Sequence, residues 1–297
     1  MAKAPEKRRA VLIAGPTASG KSALALARAR ELGGVVVNAD AMQVYAVLRL
    51  LTARPSDEET GGVPHLLYGI VAPAERFSTG DWLRAVEALL AEHADVPLVF
   101  AGGTGLYFDA LTKGLAEVPK VPPEIVREVE TELAGLDREA RGRLLAERDP
   151  ATARLLRSPD PQRVARALAV LKATGRSLAS YQQAPQRGLL DGFELERIVL
   201  NPDREVLRQR IAARFEAMFE AGAVEEVKAL RALDLDPSLP AMKAIGVREI
   251  SDWLDGKITR EEAMRRAVIA TRQYAKRQRT WFRNRMSDWT WIGSVEA

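Results

Sequence analysis

The eight residues Gly15-Pro16-Thr17-Ala18-Ser19-Gly20-Lys21-Ser22 satisfy the pattern G-x-x-x-x-G-K-[ST] at every required position. The run before them, Ala10-Val11-Leu12-Ile13-Ala14, is apolar and β-branched and reads as a buried strand. The run after them, Ala23 to Arg30, is rich in strong helix formers. Strand, glycine turn and helix therefore stand in the order that a phosphate loop requires. Its backbone N–H groups close around an anion, and the helix N-terminus adds partial positive charge. The spacing predicts Lys21 as a point charge on phosphate oxygens and the Ser22 hydroxyl as a ligand of Mg²⁺. The chain is expected to bind a di- or triphosphate.

With 297 residues, the chain is long enough for one large domain or two smaller ones. It has no cysteine, which excludes disulfides, thiol catalysis and cysteine-ligated metals. The two histidines, His65 and His93, stand too far apart in sequence to suggest a shared metal. The basic start at Lys7-Arg8-Arg9 is followed by an apolar run that Gly15-Pro16 breaks, too short for a signal peptide. No apolar stretch reaches membrane-spanning length, so a cytoplasmic protein is expected. Net charge is +4, but Arg260 to Arg285 alone carries +7. A basic stripe on a near-neutral body points to an anionic partner.

Val35-Val36-Val37 reads as a second strand and leads into Asn38-Ala39-Asp40. Ligands of open α/β sheets gather beyond the carboxyl ends of strands, where Asp40 stands. Asp40 also suits a helix N-cap, and position alone favours that role. Ser78, Thr79 or Asp81 is expected to cap a helix through Leu90. Val96 to Ala101 reads as a third strand, ending in the second glycine loop Gly102-Gly103-Thr104-Gly105. That loop suits either close backbone approach to a ligand or an ordinary tight turn. No carboxylate ends this strand, which argues against an energy-coupled ATPase.

The texture is helical from about 117 to 190, with Asp160 or Ser158 capping a helix that opens at Pro161. Arg197 to Leu200 returns as a strand. The fold class expected is therefore α/β, a P-loop NTPase-like parallel sheet core flanked by helices, with a helical insertion domain. Its expected bounds are 1–116 and 191–297 for the core and 117–190 for the insertion. From Asp203 a helix carries Leu207, Ile211, Phe215 and Met218 or Phe219 on one face. Arg210 and Arg214, four apart on another face, suit a phosphate clamp or a solvated surface equally. In the last helix Met264, Ala267 or Val268, Thr271, Tyr274, Gln278 and Trp281 are expected to face the core. Arg272, Lys276, Arg279 and Arg283 are expected to form a basic stripe beside them.

Taken together, these pieces resemble the tRNA dimethylallyltransferases, also called tRNA isopentenyltransferases, over nearly the whole chain. The landmarks are the phosphate loop, Ala39-Asp40-Ala41-Met42-Gln43-Val44-Tyr45, Thr52-Ala53-Arg54-Pro55 and Gly102-Gly103-Thr104-Gly105-Leu106-Tyr107. Further landmarks are Asp160-Pro161-Gln162-Arg163, and the segment from Ala270 to Gln278 that continues through Thr280-Trp281-Phe282-Arg283. The family usually has Ser at the position of Ala41, Arg at Ala46 and a second His at Leu66. The segment from Ala46 to Leu51 lacks the usual Asp-Ile-Gly.

The resemblance implies transfer of a dimethylallyl group from dimethylallyl diphosphate to N6 of adenosine 37, beside the tRNA anticodon. It implies Asp40, Thr17, Lys21 and Thr104 as catalytic residues, with Asp40 the base for the adenine amine. Phosphate binding then falls to Gly15 through Ser22 with Arg210 and Arg214, and Mg²⁺ to Ser22. The tRNA anticodon stem-loop is expected to meet Asp40, Ala41, Met42, Gln43 and Thr104 at the site. Within the insertion the tRNA contacts expected are Arg127, Gln162, Arg163, Val164, Ala165 and Arg166. Arg272, Lys276, Arg279 and Arg283 complete the set. A monomer is expected. The alternatives are a P-loop small-molecule kinase that binds ATP and a non-catalytic RNA-binding protein that uses nucleotide structurally.

Overall fold

A computed structural model describes residues 7–156, 158–184 and 186–293. The first six and last four residues of the expected core therefore lie outside the described residues. Arg9–Ala14 forms β1 at the centre of a six-stranded sheet. Its neighbours are β4 (Leu98–Gly102) and β5 (Glu194–Leu200), both parallel to it. Beyond them lie β2 (Val35–Asn38) with β3 (His65–Leu66) on one side and β6 (Thr290–Ile292) on the other, giving the order β3-β2-β4-β1-β5-β6.

Helices cover both faces of the sheet, which is why its central strands are apolar throughout. The pleat sorts β1 by alternation. Ala10, Leu12 and Ala14 join Phe100, Trp82 and Phe282 on one face. Val11 and Ile13 join Ala25 and Ala29 of helix α1 (Lys21–Leu32) on the other. The two edge strands have two and three residues, too short for any periodic signal in sequence. β4 starts at Leu98, two residues later than expected, because Pro97 has no N–H to pair; its carbonyl instead accepts Val35 N–H at 3.1 Å.

Three further helices lie between these strands. Helix α2 (Asp57–Thr60) is one turn; α3 (Thr79–Glu92) opens with Ser78 and Asp81 in a reciprocal capping box. Helix α4 (Gly105–Lys113) follows β4 directly.

The chain divides into two units, Met1–Thr112 with Leu189–Ala297, and Lys113–Gly188. The second is all helical among its described residues: α5 (Pro123–Leu133), α6 (Arg138–Arg148), α7 (Pro150–Leu155), α8 (Pro161–Thr174) and α9 (Leu178–Gln182). Val129, Leu133, Leu145, Val164 and Leu168 form its core. Asp160 caps α8, accepting from Gln162 and Arg163 N–H.

Back in the first unit, α10 (Arg204–Glu220) buries Leu207, Ile211, Phe215 and Phe219, so Phe219 rather than Met218 completes that face. Then come α11 (Ala223–Arg231), α12 (Val247–Leu254) and the long α13 (Arg260–Arg285). Among the described residues no helix is long and apolar enough to cross a membrane.

Candidate active site

The phosphate loop leaves β1 at its carboxyl end and turns sharply enough to place Ala18 at φ 63°. A non-glycine residue in the left-handed region is strained, and surrounding contacts must hold it there. Ser19 N–H donates to the Pro16 carbonyl at 3.2 Å, and Gly15 N–H to that of Gly102 at 3.3 Å. Ala18 packs against Leu207 and Ile211 of α10 and Ala275 of α13. Lys21 lies at the N-terminus of α1, its ammonium 3.4 Å from the Pro16 carbonyl. Burial pushes that ammonium down to about 8; the charge of Asp40 partly offsets this, and Arg214 adds to it. Arg214 Nη1 donates to Thr17 Oγ1 at 3.4 Å. Two cations and a helix N-terminus thus converge on one small volume, which is favourable for an anion and costly without one.

Asp40 does not cap a helix; no helix begins there. Its Oδ1 accepts Met42 N–H at 2.9 Å in a local turn. The Asn38 side chain locks the preceding backbone, accepting Asp40 N–H at 2.9 Å and donating to the Asp40 and Leu67 carbonyls at 3.0 and 3.1 Å. Trp82 Nε1 donates to the Asn38 carbonyl at 2.9 Å while its ring stacks on Tyr107, centroids 4.3 Å apart. Thr104 sits on the facing loop. Its Oγ1 accepts Ala41 N–H at 2.9 Å, and its own N–H donates to the Ala39 carbonyl at 3.2 Å. The carboxylate therefore stands on braced backbone. Burial raises the phenols of Tyr68, Tyr107 and Tyr274, and Asp40's negative charge raises them further, so the rings around it stay neutral.

Gln278 on α13 joins the two loops. Its Oε1 accepts Thr17 N–H at 2.9 Å, and its Nε2 donates to the Gly103 carbonyl at 2.9 Å. Glycine at 103 leaves room for this: a Cβ there would overlap the Gln278 amide and lie 3.1 Å from Asp40 Oδ2. Thr17, Lys21, Ser22, Asp40, Ala41, Met42, Gln43 and Thr104 line one cavity of about 560 Å³ together with Arg214. Thr271, Tyr274, Arg277, Gln278 and Trp281 of α13 line it too. The expected inward face has two roles: Trp281 packs against the main core and Gln278 is buried, while both, with Thr271 and Tyr274, also form a wall of the cavity. Leu51, Ile211, Phe215, Met218 and Ile245 supply an apolar portion.

Several expected site residues stand elsewhere. Gly15, Pro16, Ala18 and Ser19 are buried and Gly20 is exposed; none of the five lines the cavity, and together they form the turn that carries Thr17 and Lys21. Gln43 does line it, but its Nε2 donates to the Thr52 and Ala53 carbonyls, both at 2.9 Å, as a loop brace. Arg210 is exposed and outside the lining, so Arg214 meets the cavity without it. The stripe of α13 is solvent-facing at Arg272, Lys276 and Arg283; Arg279 is half-buried, its guanidinium disfavoured by burial, then by Arg283 and Arg204. In the helical unit Arg127, Gln162, Arg163 and Arg166 are exposed and Ala165 is half-buried. Val164 is fully buried in that unit's core and cannot touch a macromolecular partner.

Among the cavity residues not expected at the site are Leu51, Thr52, Ala53, Lys243, Ala244, Ile245 and Arg277. Arg277 carried a signal, one more cation in a dense basic run; Leu51 and Ile245 carried none, being apolar residues in loops.

The chain matches the family described as IPP transferase over residues 43–285, and that described as isopentenyl transferase over residues 8–68. A tRNA dimethylallyltransferase of Chelativorans sp. (strain BNC1) is 54% identical over 283 residues, covering 94% of this chain and 97% of that one. Its namesake from Rhizobium meliloti (strain 1021) is 51% identical, covering 95% and 93%. Among solved structures, the tRNA isopentenylpyrophosphate transferase of Bacillus halodurans superposes with a TM-score of 0.68 at 34% identity, over 97% of this chain and 90% of that one. A eukaryotic dimethylallyltransferase solved while acting on tRNA gives 0.80 at 25% identity, over 97% and 74%.

Proposed function

This chain belongs to the IPP transferase family of tRNA dimethylallyltransferases, and from that premise we propose that it transfers a dimethylallyl group from dimethylallyl diphosphate to N6 of adenosine 37 of tRNA. The observation that carries the reading is the convergence of Lys21 and Asp40 on one cavity, an anion-holding group and a base facing the same space. Lys21 and Arg214 take the diphosphate, and their charge is worth most as negative charge grows on the leaving group. The C1–oxygen bond of the donor breaks as N6 attacks C1. Asp40 accepts a hydrogen bond from the amine and then its proton, which C–N bond formation makes acidic. Thr104, tied to the Ala41 backbone, holds the base edge beside it. The adenosine leaves its stack to enter, as enzymes acting on bases require.

Ser22, at the mouth of the phosphate loop, fits a Mg²⁺ site completed by diphosphate oxygens and water. Among the described residues no group of three or more acidic or histidine side chains offers another metal site. The ion would supply further neutralisation of the departing diphosphate. The exposed cations of α13 and of the helical unit are proposed to hold the anticodon stem-loop. One chain supplies every group named, so a monomer suffices, and the cytoplasm is the proposed place of work. A kinase would share the phosphate loop, but the relatives that match nearly the whole chain are named tRNA dimethylallyltransferase and do not favour that reading. Incubating the purified protein with tRNA and labelled dimethylallyl diphosphate or labelled ATP tests the assignment. Label in tRNA from the first supports it; phosphoryl transfer from ATP instead overturns it.

A further inference from the structure

The cavity has two ends of different chemistry, and α10 runs from one to the other. Arg214 and Ile211 sit at the phosphate end, against Thr17 and Ala18. One turn further on, Phe215 and Met218 leave that group for a separate apolar cluster that Leu51 and Ile245 also join. Four residues of helix advance about 6 Å, so the apolar end lies about one turn beyond the level of the phosphates.

Leu51 and Phe215 meet over Gly246. A Cβ added at Gly246 would lie 2.6 Å from Leu51 Cδ2 and 3.4 Å from Phe215 Cζ. The backbone that carries Leu51 is pinned: Leu50 and Leu51 N–H donate to the two carboxylate oxygens of Glu226 on α11, at 2.6 and 3.1 Å. Charge-assisted bonds of this kind resist the loop swinging outward to enlarge the chamber.

We propose that Leu51, Phe215 and Met218 form an end wall that restricts the allylic diphosphate to five carbons. The proposal rests on reading the cavity as the donor site. A ten-carbon donor would keep its diphosphate in place but drive its second prenyl unit into this wall. A single methylene too many or too few in an apolar pocket is worth roughly 10–200-fold, and a second prenyl unit adds five carbons.

The test compares calorimetric affinities for geranyl and dimethylallyl diphosphate in the wild type, Leu51→Ala and Met218→Ala. Transfer of each donor to tRNA is measured alongside. The wild type is expected to bind the geranyl compound at least about tenfold more weakly, and each variant to shift the ratio at least about tenfold toward it. Met218→Ala, on a different element, carries the test if Leu51→Ala does not fold. A ratio unmoved in folded variants, with wild-type transfer intact, overturns the wall. A shifted ratio with no transfer by the wild type supports the wall and sinks the reaction instead.

Discussion

Gln278 Oε1 accepts Thr17 N–H at 2.9 Å although 261 residues separate them in sequence. The same amide donates to the Gly103 carbonyl, so one side chain sets the spacing between the phosphate loop and the loop that carries Thr104. Gln278→Ala leaves a half-buried N–H and a buried carbonyl unpaired, and a stability decrease of roughly 1–3 kcal/mol is expected in urea titration. Gln278→Glu keeps an acceptor for Thr17 but places a second carboxylate near Asp40. It is expected to cost more than the alanine at pH 8 and to recover as pH falls, because protonation removes the repulsion. Equal cost at all pH values would mean that the glutamine only fills space.

Lys21→Ala is expected to lower transfer by roughly 3 kcal/mol or more in kcat/KM, since the leaving group loses its main point charge. Ser22→Ala is expected to raise the Mg²⁺ concentration needed for half-maximal rate. Turnover near that of the wild type in the lysine variant would remove the phosphate loop from the mechanism.

The depressed Lys21 has a sign that can be read by titration. Its ammonium deprotonates near pH 8 in the free protein, so affinity for dimethylallyl diphosphate is expected to fall as pH rises through about 8. For folding the linkage runs the other way. A lysine whose folded pKa lies below its unfolded value of 10.5 costs stability while both states are protonated, below about 8. That cost is relieved as pH rises from about 8 toward 10.5, where the unfolded state binds more protons. Lys21→Met should abolish both slopes; their persistence would assign them to another group.

Asp40→Asn keeps size and one acceptor but removes charge and basicity. A loss of roughly 10²–10⁴ in kcat with tRNA affinity retained is expected. If tRNA binding collapses while single-turnover transfer of bound substrate stays fast, the carboxylate serves only its turn with Met42.

Neutralising Arg272, Lys276, Arg279 and Arg283 together is expected to flatten the salt dependence of tRNA binding. The log–log slope should shrink by up to ~0.9 for each RNA phosphate that is no longer neutralised. An unchanged slope would make this face of α13 a solvated surface.

Local chemistry was legible in the sequence. The order strand, Gly15-to-Ser22, helix is contiguous, and each part depends on neighbours within a few residues. The same holds for the apolar run of β1, whose covering on both faces shows as unbroken hydrophobicity; the cap of α3 is legible as Ser78, Thr79 or Asp81, and the structure makes it a reciprocal pair of Ser78 and Asp81. Tertiary packing settles which of these pieces share a space. Arg210 and Arg214 have the same type and one turn of separation, yet only Arg214 meets the cavity, because α10 presents the side carrying Leu207 and Ile211 to the phosphate loop. The family resemblance implies Val164 as a tRNA contact, but helical rotation puts it in the core of its unit. On α13, periodicity marks Tyr274, Gln278 and Trp281 as one inward face without saying whether that face meets packed side chains or a void. Spacing along a helix encodes direction; what lies in that direction is set by chain segments hundreds of residues away, and only folding brings those together.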